Sequence, residues 1–417
     1  MSDERMARAC FVLTILAGAQ MVASAETLKV GHANVCPGAK YTTIGAAVTA
    51  AHAGALIEIC PGLYPEQLIV DKPLTLRGIA AEVNGLAVNR VLLQPALQDL
   101  QNLATEAVIT VMNTHDVNLE NLAIGASMNS VNGCAPSVAG VHYYNASGRV
   151  DHNAIFGARL GNPQSCPTLP FGNGFGVQID DSHSGSFCVS VTRNSIHDYT
   201  AAGVQATGTG IYANVEGNNI SGIGPAGGLF QFGVFIVNGP VASIRWNVIT
   251  EGLCGSLSAS DCIGVRSEGV TLRAPGDGTT VDGNVISNAQ SGIFINGANR
   301  LRVTNNQIRN IQALDGIDIQ GSATGAFTNS RIEGNEIVNV GPISEDASND
   351  EAGCGINEYS GTGISGNHIV NNTVNDAFCG VAAVAADHVG FGSYFNVLYP
   401  VLNSDQYPNA YPPPTEP

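Results

Sequence analysis

The chain carries little positive charge. It has three lysines, Lys29, Lys40 and Lys72, and 17 Lys and Arg together against 34 Asp and Glu, for a net charge of −17. Phosphate backbones and anionic headgroups are gripped by Lys and Arg, so nucleic acid and charged membrane surfaces are excluded as partners. The same charge opposes a bare polyanionic glycan, and a neutral or weakly charged polysaccharide fits better. Beyond the N-terminal segment no apolar run reaches the ~18 residues that a spanning helix needs, so no membrane span is expected. No Cys-x-x-Cys pair suggests zinc, no EF-hand-like loop is present, and no metal-ligand set is assigned. Calcium alone is admissible as a cofactor, as a bridge between acidic groups, because carboxylates and carbonyls suit a hard cation.

What is present is a repeat. An aliphatic residue, two variable residues, Asn, one variable residue and Ile recur around Asn153, Asn194, Asn218, Asn247, Asn284, Asn306, Asn335 and Asn367, 22 to 41 residues apart. A second phrase, Gly followed by Val or Ile and then alternating residues, interleaves at Gly140, Gly176, Gly203, Gly233, Gly264, Gly292, Gly316, Gly355 and Gly380. The spacing is that of a solenoid, and the apolar alternation has period 2, so each unit is built of short strands. Gly217, Gly283, Gly334 and Gly366 precede four of the eight Asn, as suits a corner at positive φ. Stacked corners put Asn above Asn at roughly 4.8 Å, where amides can bond along the stack.

These phrases resemble the right-handed parallel β-helix repeats of the pectate-lyase-like superfamily over roughly residues 40–395. The resemblance implies an all-β fold, a right-handed single-stranded parallel β-helix with an N-terminal capping helix. Thr42, Thr43 and Ile44 before an Ala-rich run to Ala53 read as that helix with a Thr cap, and segments 56–60 and 74–78 as the first strands. The phrase Gly62-Leu63-Tyr64-Pro65-Glu66 is similar to the opening of secreted pectin methylesterases, with Glu66 in a structural role. The downstream motifs of that family are absent, and esterase activity is not implied.

Residues 1–25 read as a secretory signal, with Arg5 and Arg8 before an apolar stretch to about Ala19 and a small-residue site at Ala23, Ser24 and Ala25. Residues 26–56 form the capping segment, 57–403 the β-helix and 404–417 a Pro-rich, extended or disordered tail. Nine cysteines besides Cys10 fit an oxidising compartment, so a secreted or extracytoplasmic protein, acting as a monomer, is expected. Cys354 and Cys379 precede the repeat Gly of neighbouring coils and suit a disulfide. Cys36 and Cys60 flank the first segment, and Cys254 and Cys262 share a loop. Cys134, Cys166 and Cys188 compete for a further bridge, with Cys134 to Cys166 favoured.

Alternation on the Gly strand sends the second and fourth residues after Gly outward. The resulting strip runs through His142 and Tyr144, Gln178 and Asp180, Phe235, Arg266 and Glu268, Phe294, Asp318 and Gln320, and Asn357 and Tyr359. Polar groups interrupted by exposed aromatics suit a glycan, with His142, Tyr144, Gln178, Phe235, Phe294, Gln320, Asn357 and Tyr359 as substrate contacts. Asp180, Asp181 and His183 beside His142 form one candidate acid-base group; the alternative is that Asp181 and His183 decorate a turn. Arg266, Glu268 and Asp318, two coils apart, form the second, for hydrolysis or β-elimination, or else a solvated salt bridge. The Asn-Thr-Asp, Gly-His-Gly and Arg-Ile-Lys phrases of polygalacturonases and the Asp-Pro-His of alginate epimerases are missing. Trp246, at a corner, reads as surface packing, with a sugar platform as the alternative. The expectation is a secreted carbohydrate-active β-helix cleaving a polysaccharide, or else a non-catalytic β-helix that binds glycan or protein.

Overall fold

Period-2 strands joined by left-handed corners wind into a parallel β-helix. The structure is a computed structural model and describes residues 26–403 except 84–85, 89, 96–104, 127–136, 160–172, 183–184, 225–229, 252–266, 313, 322–325, 342–352, 360–362 and 385–386. The signal segment, the tail, Cys10, Cys134, Cys166, Cys254, Cys262, His183, Gly264 and Arg266 lie outside the described residues. A 13-stranded sheet runs from Thr27–Val30 to His388–Val389. A 22-stranded sheet contains two further parallel ladders, one of long strands such as Gly174–Asp180 and Gln231–Val237 and one of short strands such as Ser195–His197 and Val248–Thr250. Thr373–Ala383 pairs with both and joins them. Each coil runs from long strand to 13-stranded sheet to short strand, with the Asn corner between the last two.

The Asn column is an internal ladder. The backbone N–H and Nδ2 of each Asn donate to Oδ1 of the next, as from Asn218 to Asn247 at 2.9 and 2.9 Å. Its Nδ2 also donates to a carbonyl of the preceding coil, as from Asn247 to Val215 at 2.9 Å. The ladder runs Asn153, Asn194, Asn218, Asn247, Asn284, Asn306, Asn335 and then Asn372, at 3.0 Å from the Asn335 N–H. Asn367 therefore belongs elsewhere: it accepts from Ser330 N–H at 2.9 Å and bonds Asp387 in a second corner column. The residue before each rung is left-handed: His152, Arg193, Gly217, Trp246, Gly283, Asn305, Gly334 and Asn371 all have φ between 55 and 68°.

The N-terminal end is closed by the helix Ile44–Ala50, which sinks Ile44, Ala47 and Val48 into the core. Thr43 makes no side-chain cap. Glu66 does so instead, accepting the N–H groups of Ile44 and Gly45 at 2.8 Å each, where a carboxylate also suits the helix dipole. Cys36–Cys60 and Cys354–Cys379 are bridged. Cys188 is also disulfide-bonded, so it is not the cysteine left without a bridge. Among the described residues no helix is long and apolar enough to cross a membrane.

Buried acids sit within this frame, Glu251 and Glu358 among them. Glu251 accepts the Tyr199 hydroxyl, and burial pushes its carboxyl up to about 8. Glu358, in register with core Ile319, is pushed up to about 9 by burial and then by Asp387.

Truncating Asn247 to Ala strands two donors of Asn218 and takes an amide donor away from Val215 O and Asn284 Oδ1, and denaturant unfolding should show a loss of about 3–5 kcal/mol. Asn219→Ala, exposed beside the Asn218 rung one coil earlier, should stay within about 0.5 kcal/mol. Glu251 folds protonated, so its contribution is fully present below its unfolded value near 4.5 and is lost as pH rises through about 8. The melting temperature should therefore fall over that window, by the equivalent of about 5 kcal/mol, and Glu251→Gln should flatten the fall; an unchanged slope contradicts this.

Candidate functional site

The long strands set the site. At each repeat Gly the strand bends so that two consecutive residues face inward. A Cβ on Gly233 would lie 2.4 Å from Ile249 Cγ2, while Val234 beside it is fully buried in the core. The residue before the Gly thus faces out, as do the second and fourth after it. Register confirms the outward column His142, Gln178, Gln205, Phe235, Thr271, Phe294, Asp318, Asn357 and Ala382.

One coil is phased differently from the sequence reading. Gln231↔Ser267 and Val234↔Val270 make Gly269, rather than Gly264, the partner of Gly233. Thr271 and Arg273 therefore take the outward places assigned to Arg266 and Glu268. Glu268 precedes the Gly and is buried, accepting from Thr271 Oγ1. The aromatics are also not exposed platforms: Phe235 and Phe294 are 5% and 1% accessible. Phe235 packs with Phe232 and Phe175 in an apolar cluster outside the main core. The second column is a closed floor, and the fourth, with Tyr144, Asp180, Arg273, Gln320 and Tyr359, is the half-open edge.

His142 and Asp180 are brought together, with Nε2 3.0 Å from Oδ1, close enough for an ion pair but off the angle of a hydrogen bond. Gln178 is held by Thr105 Oγ1 at 2.7 Å and reaches Asp180 Oδ2 at 3.3 Å, and Tyr144 bonds Ser182. Asp181 has left the strand. Its N–H donates to Thr207 O and its side chain lies against Gly210, so it shapes the turn and does not join the pair.

The second group is richer in acids than the sequence suggested. Asp315, immediately before Gly316, faces out and is buried, accepting from Cys354 N–H at 2.7 Å, Asn357 Nδ2 at 3.0 Å and the Tyr359 hydroxyl at 3.2 Å. Burial overrides these bonds and pushes its carboxyl up to about 6. Asp318 follows at the next outward position, also buried, and Gln320 beyond it keeps a buried Nε2 with no hydrogen-bond partner. The guanidinium of Arg273 stands 5.3 Å above the Phe294 ring. It lines a cleft of about 460 Å³ with Gln205, Thr207, Phe235, Val237, Asn238, Ala274 and Asn296. Asn296 pairs with Gln320, so the cleft abuts the acids. Asp315 and Arg273 were missed because both depend on where the strand bends. Among the described residues no three His, Cys, Asp or Glu side chains gather as a metal site.

No curated protein sequence matches the chain. Among solved structures it resembles the GH136 lacto-N-biosidase from Eubacterium ramulus, at 10% identity and TM-score 0.54 over 89% of this chain and 68% of that one. It also resembles the tailspike protein gp49 of Acinetobacter baumannii bacteriophage Fri1, a capsular polysaccharide depolymerase, at 10% identity and TM-score 0.51 over 94% and 68%. Pectate lyase Pel9A follows at 12% identity and TM-score 0.51 over 88% and 80%. At these identities the likeness is one of fold. Residues 176–393, more than half of the chain, match the family described as the right handed beta helix region, and the protein belongs to that family of right-handed parallel β-helices.

Proposed function

We propose that the protein is a secreted carbohydrate-active β-helix that hydrolyses a polysaccharide lying along the long-strand face. The observation that carries this is Asp315, a carboxyl lifted to about 6 by burial on the outward face, one outward position from Asp318 and next to a polar cleft with an aromatic floor. Glycoside hydrolysis needs an acid to protonate the leaving oxygen and a second carboxyl as base or nucleophile. Asp315 takes the first role and Asp318 the second, while Arg273, Asn296 and Gln320 orient the sugar. Disulfides at Cys36–Cys60 and Cys354–Cys379 support an oxidising, extracytoplasmic location. The three structural neighbours carry the names of a biosidase, a depolymerase and a lyase, which is the class proposed. β-Elimination is the second reading, and the position of Arg273 over Phe294, beside the acids, is what favours it. Calcium enters only as a bridge to an acidic substrate.

A panel of neutral and acidic polysaccharides, followed for new reducing ends and for unsaturated products, tests the proposal. Reducing ends without unsaturation are expected, and turnover of a neutral chain should survive EDTA. Unsaturated ends would move the chemistry to Arg273; silence across the panel would leave a binding protein. On the substrate so found, Asp318→Asn should lower kcat by roughly 10²–10⁴-fold. Because an acid acts protonated, wild-type kcat/KM should fall as pH rises above about 6, and Asp315→Asn should remove that limb along with most of the rate. A limb that persists in Asp315→Asn assigns the acid elsewhere.

A further inference from the structure

The corner column of the Asn ladder carries several residues that its backbone does not favour, His152 and Arg193 among them, and Trp246 is the bulkiest. Trp246, the single tryptophan of the chain, sits at φ 55°, where a bulky side chain is an outlier. The coils on either side place Gly217 and Gly283 at the same corner, and Gly334, Asn305 and Asn371 do so further along. Strain of this kind persists where something depends on it.

Burial is not what it gains. Trp246 is 57% exposed and Val248, two residues on, is 47% exposed. The ring nonetheless has a defined bed. A Cβ on Gly283 would come within 2.6 Å of Trp246 Cδ1 and 2.9 Å of Nε1, so the indole lies over the next coil and only Gly makes room for it there. Arg245 holds its guanidinium 5.2 Å from the ring and is itself tied to Glu216 at 3.3 Å. Asp282 is in register beyond Arg245, so the strand position before Trp246 carries a row of Glu216, Arg245 and Asp282 across three coils.

We propose that Trp246 is a second carbohydrate contact, a platform for one neutral pyranose ring, at the far edge of the 13-stranded sheet from the cleft. A pyranose has an apolar C–H face that stacks on an indole and hydroxyls around its rim that bond charged groups. An exposed ring with Arg245 against it, and with Glu216 and Asp282 in register on the coils to either side, offers both. The net charge of −17 disfavours the other planar stacking partners, nucleobases carried on phosphate.

The single indole makes the test direct. Cellohexaose, maltohexaose and xylohexaose are titrated into the whole protein while Trp emission is followed, and a saturable shift with at least one of them is expected. Trp246→Gly removes the ring and suits the left-handed backbone. It should leave the melting temperature unchanged or higher, while weakening retardation in a native gel containing the matching polysaccharide by roughly tenfold in affinity. Emission that ignores all three sugars overturns the proposal. So does a Trp246→Gly protein that melts lower and is retarded as before, since that marks a packing residue. Both readouts are of binding, so the result stands whether or not the long-strand face is catalytic.

Discussion

The buried Asn ladder is the interaction on which the rest of the structure depends. A solenoid without a repeating lock is free to slip, because each short strand holds its neighbour by few bonds and a one-residue slip turns every side chain to the other face. Each rung here receives two donors from the preceding Asn and sends its own amide to a backbone carbonyl, with no water to replace them. This fixes the corner of each coil to that of the next. The left-handed residue ahead of each rung aims the amide inward, and the Gly of the long strand leaves room for the Ile that follows the rung.

Registration of the corners is what gives the outer face its columns. Aromatic Phe235 and Phe294, amide Asn357 and acid Asp318 fall in one line because the ladder allows no coil to shift. The floor they form is closed, and the adjacent line with Arg273 and Gln320 is half open, so a sugar chain would meet a polar edge before the acids. Three of the acids behind the formal negative charge, Glu251, Asp315 and Glu358, are buried carboxyls raised to about 8, 6 and 9, so below those values they are protonated and add no charge. Two of these belong to the core and one, Asp315, to the outer face.

The fold was legible because the ladder requires Asn and the strand bend requires Gly, and both recur in the sequence. The misreadings have one origin: a degenerate phrase names a residue type without its phase. Gly264 and Gly269 both begin plausible strands, and only pairing with Gly233 selects the second. Asn367 and Asn372 both precede period-2 strands, and only the bond from Asn335 selects the second. Asp315 escaped notice because simple alternation has no place for two inward residues at a bend. His142 was correctly set outward, yet its burial depends on long-range packing that no local pattern carries. Glu66 was read as structural, and the reason, two helix N–H groups held by one carboxylate, needed the fold to be seen.

The central claim is that the polysaccharide runs along the long-strand face, with its reacting linkage at Asp315 and Asp318. The most direct measurement is a crystal structure of Asp318→Asn soaked with the longest oligosaccharide that the wild-type protein releases. The account expects sugar density parallel to the helix axis, passing from the cleft at Gln205 and Arg273 over Asn296 to Gln320, with a glycosidic oxygen at the Asp315 carboxyl. Density confined to the 13-stranded sheet or the short-strand face, with the Asp315 carboxyl out of reach of any glycosidic oxygen, would contradict it.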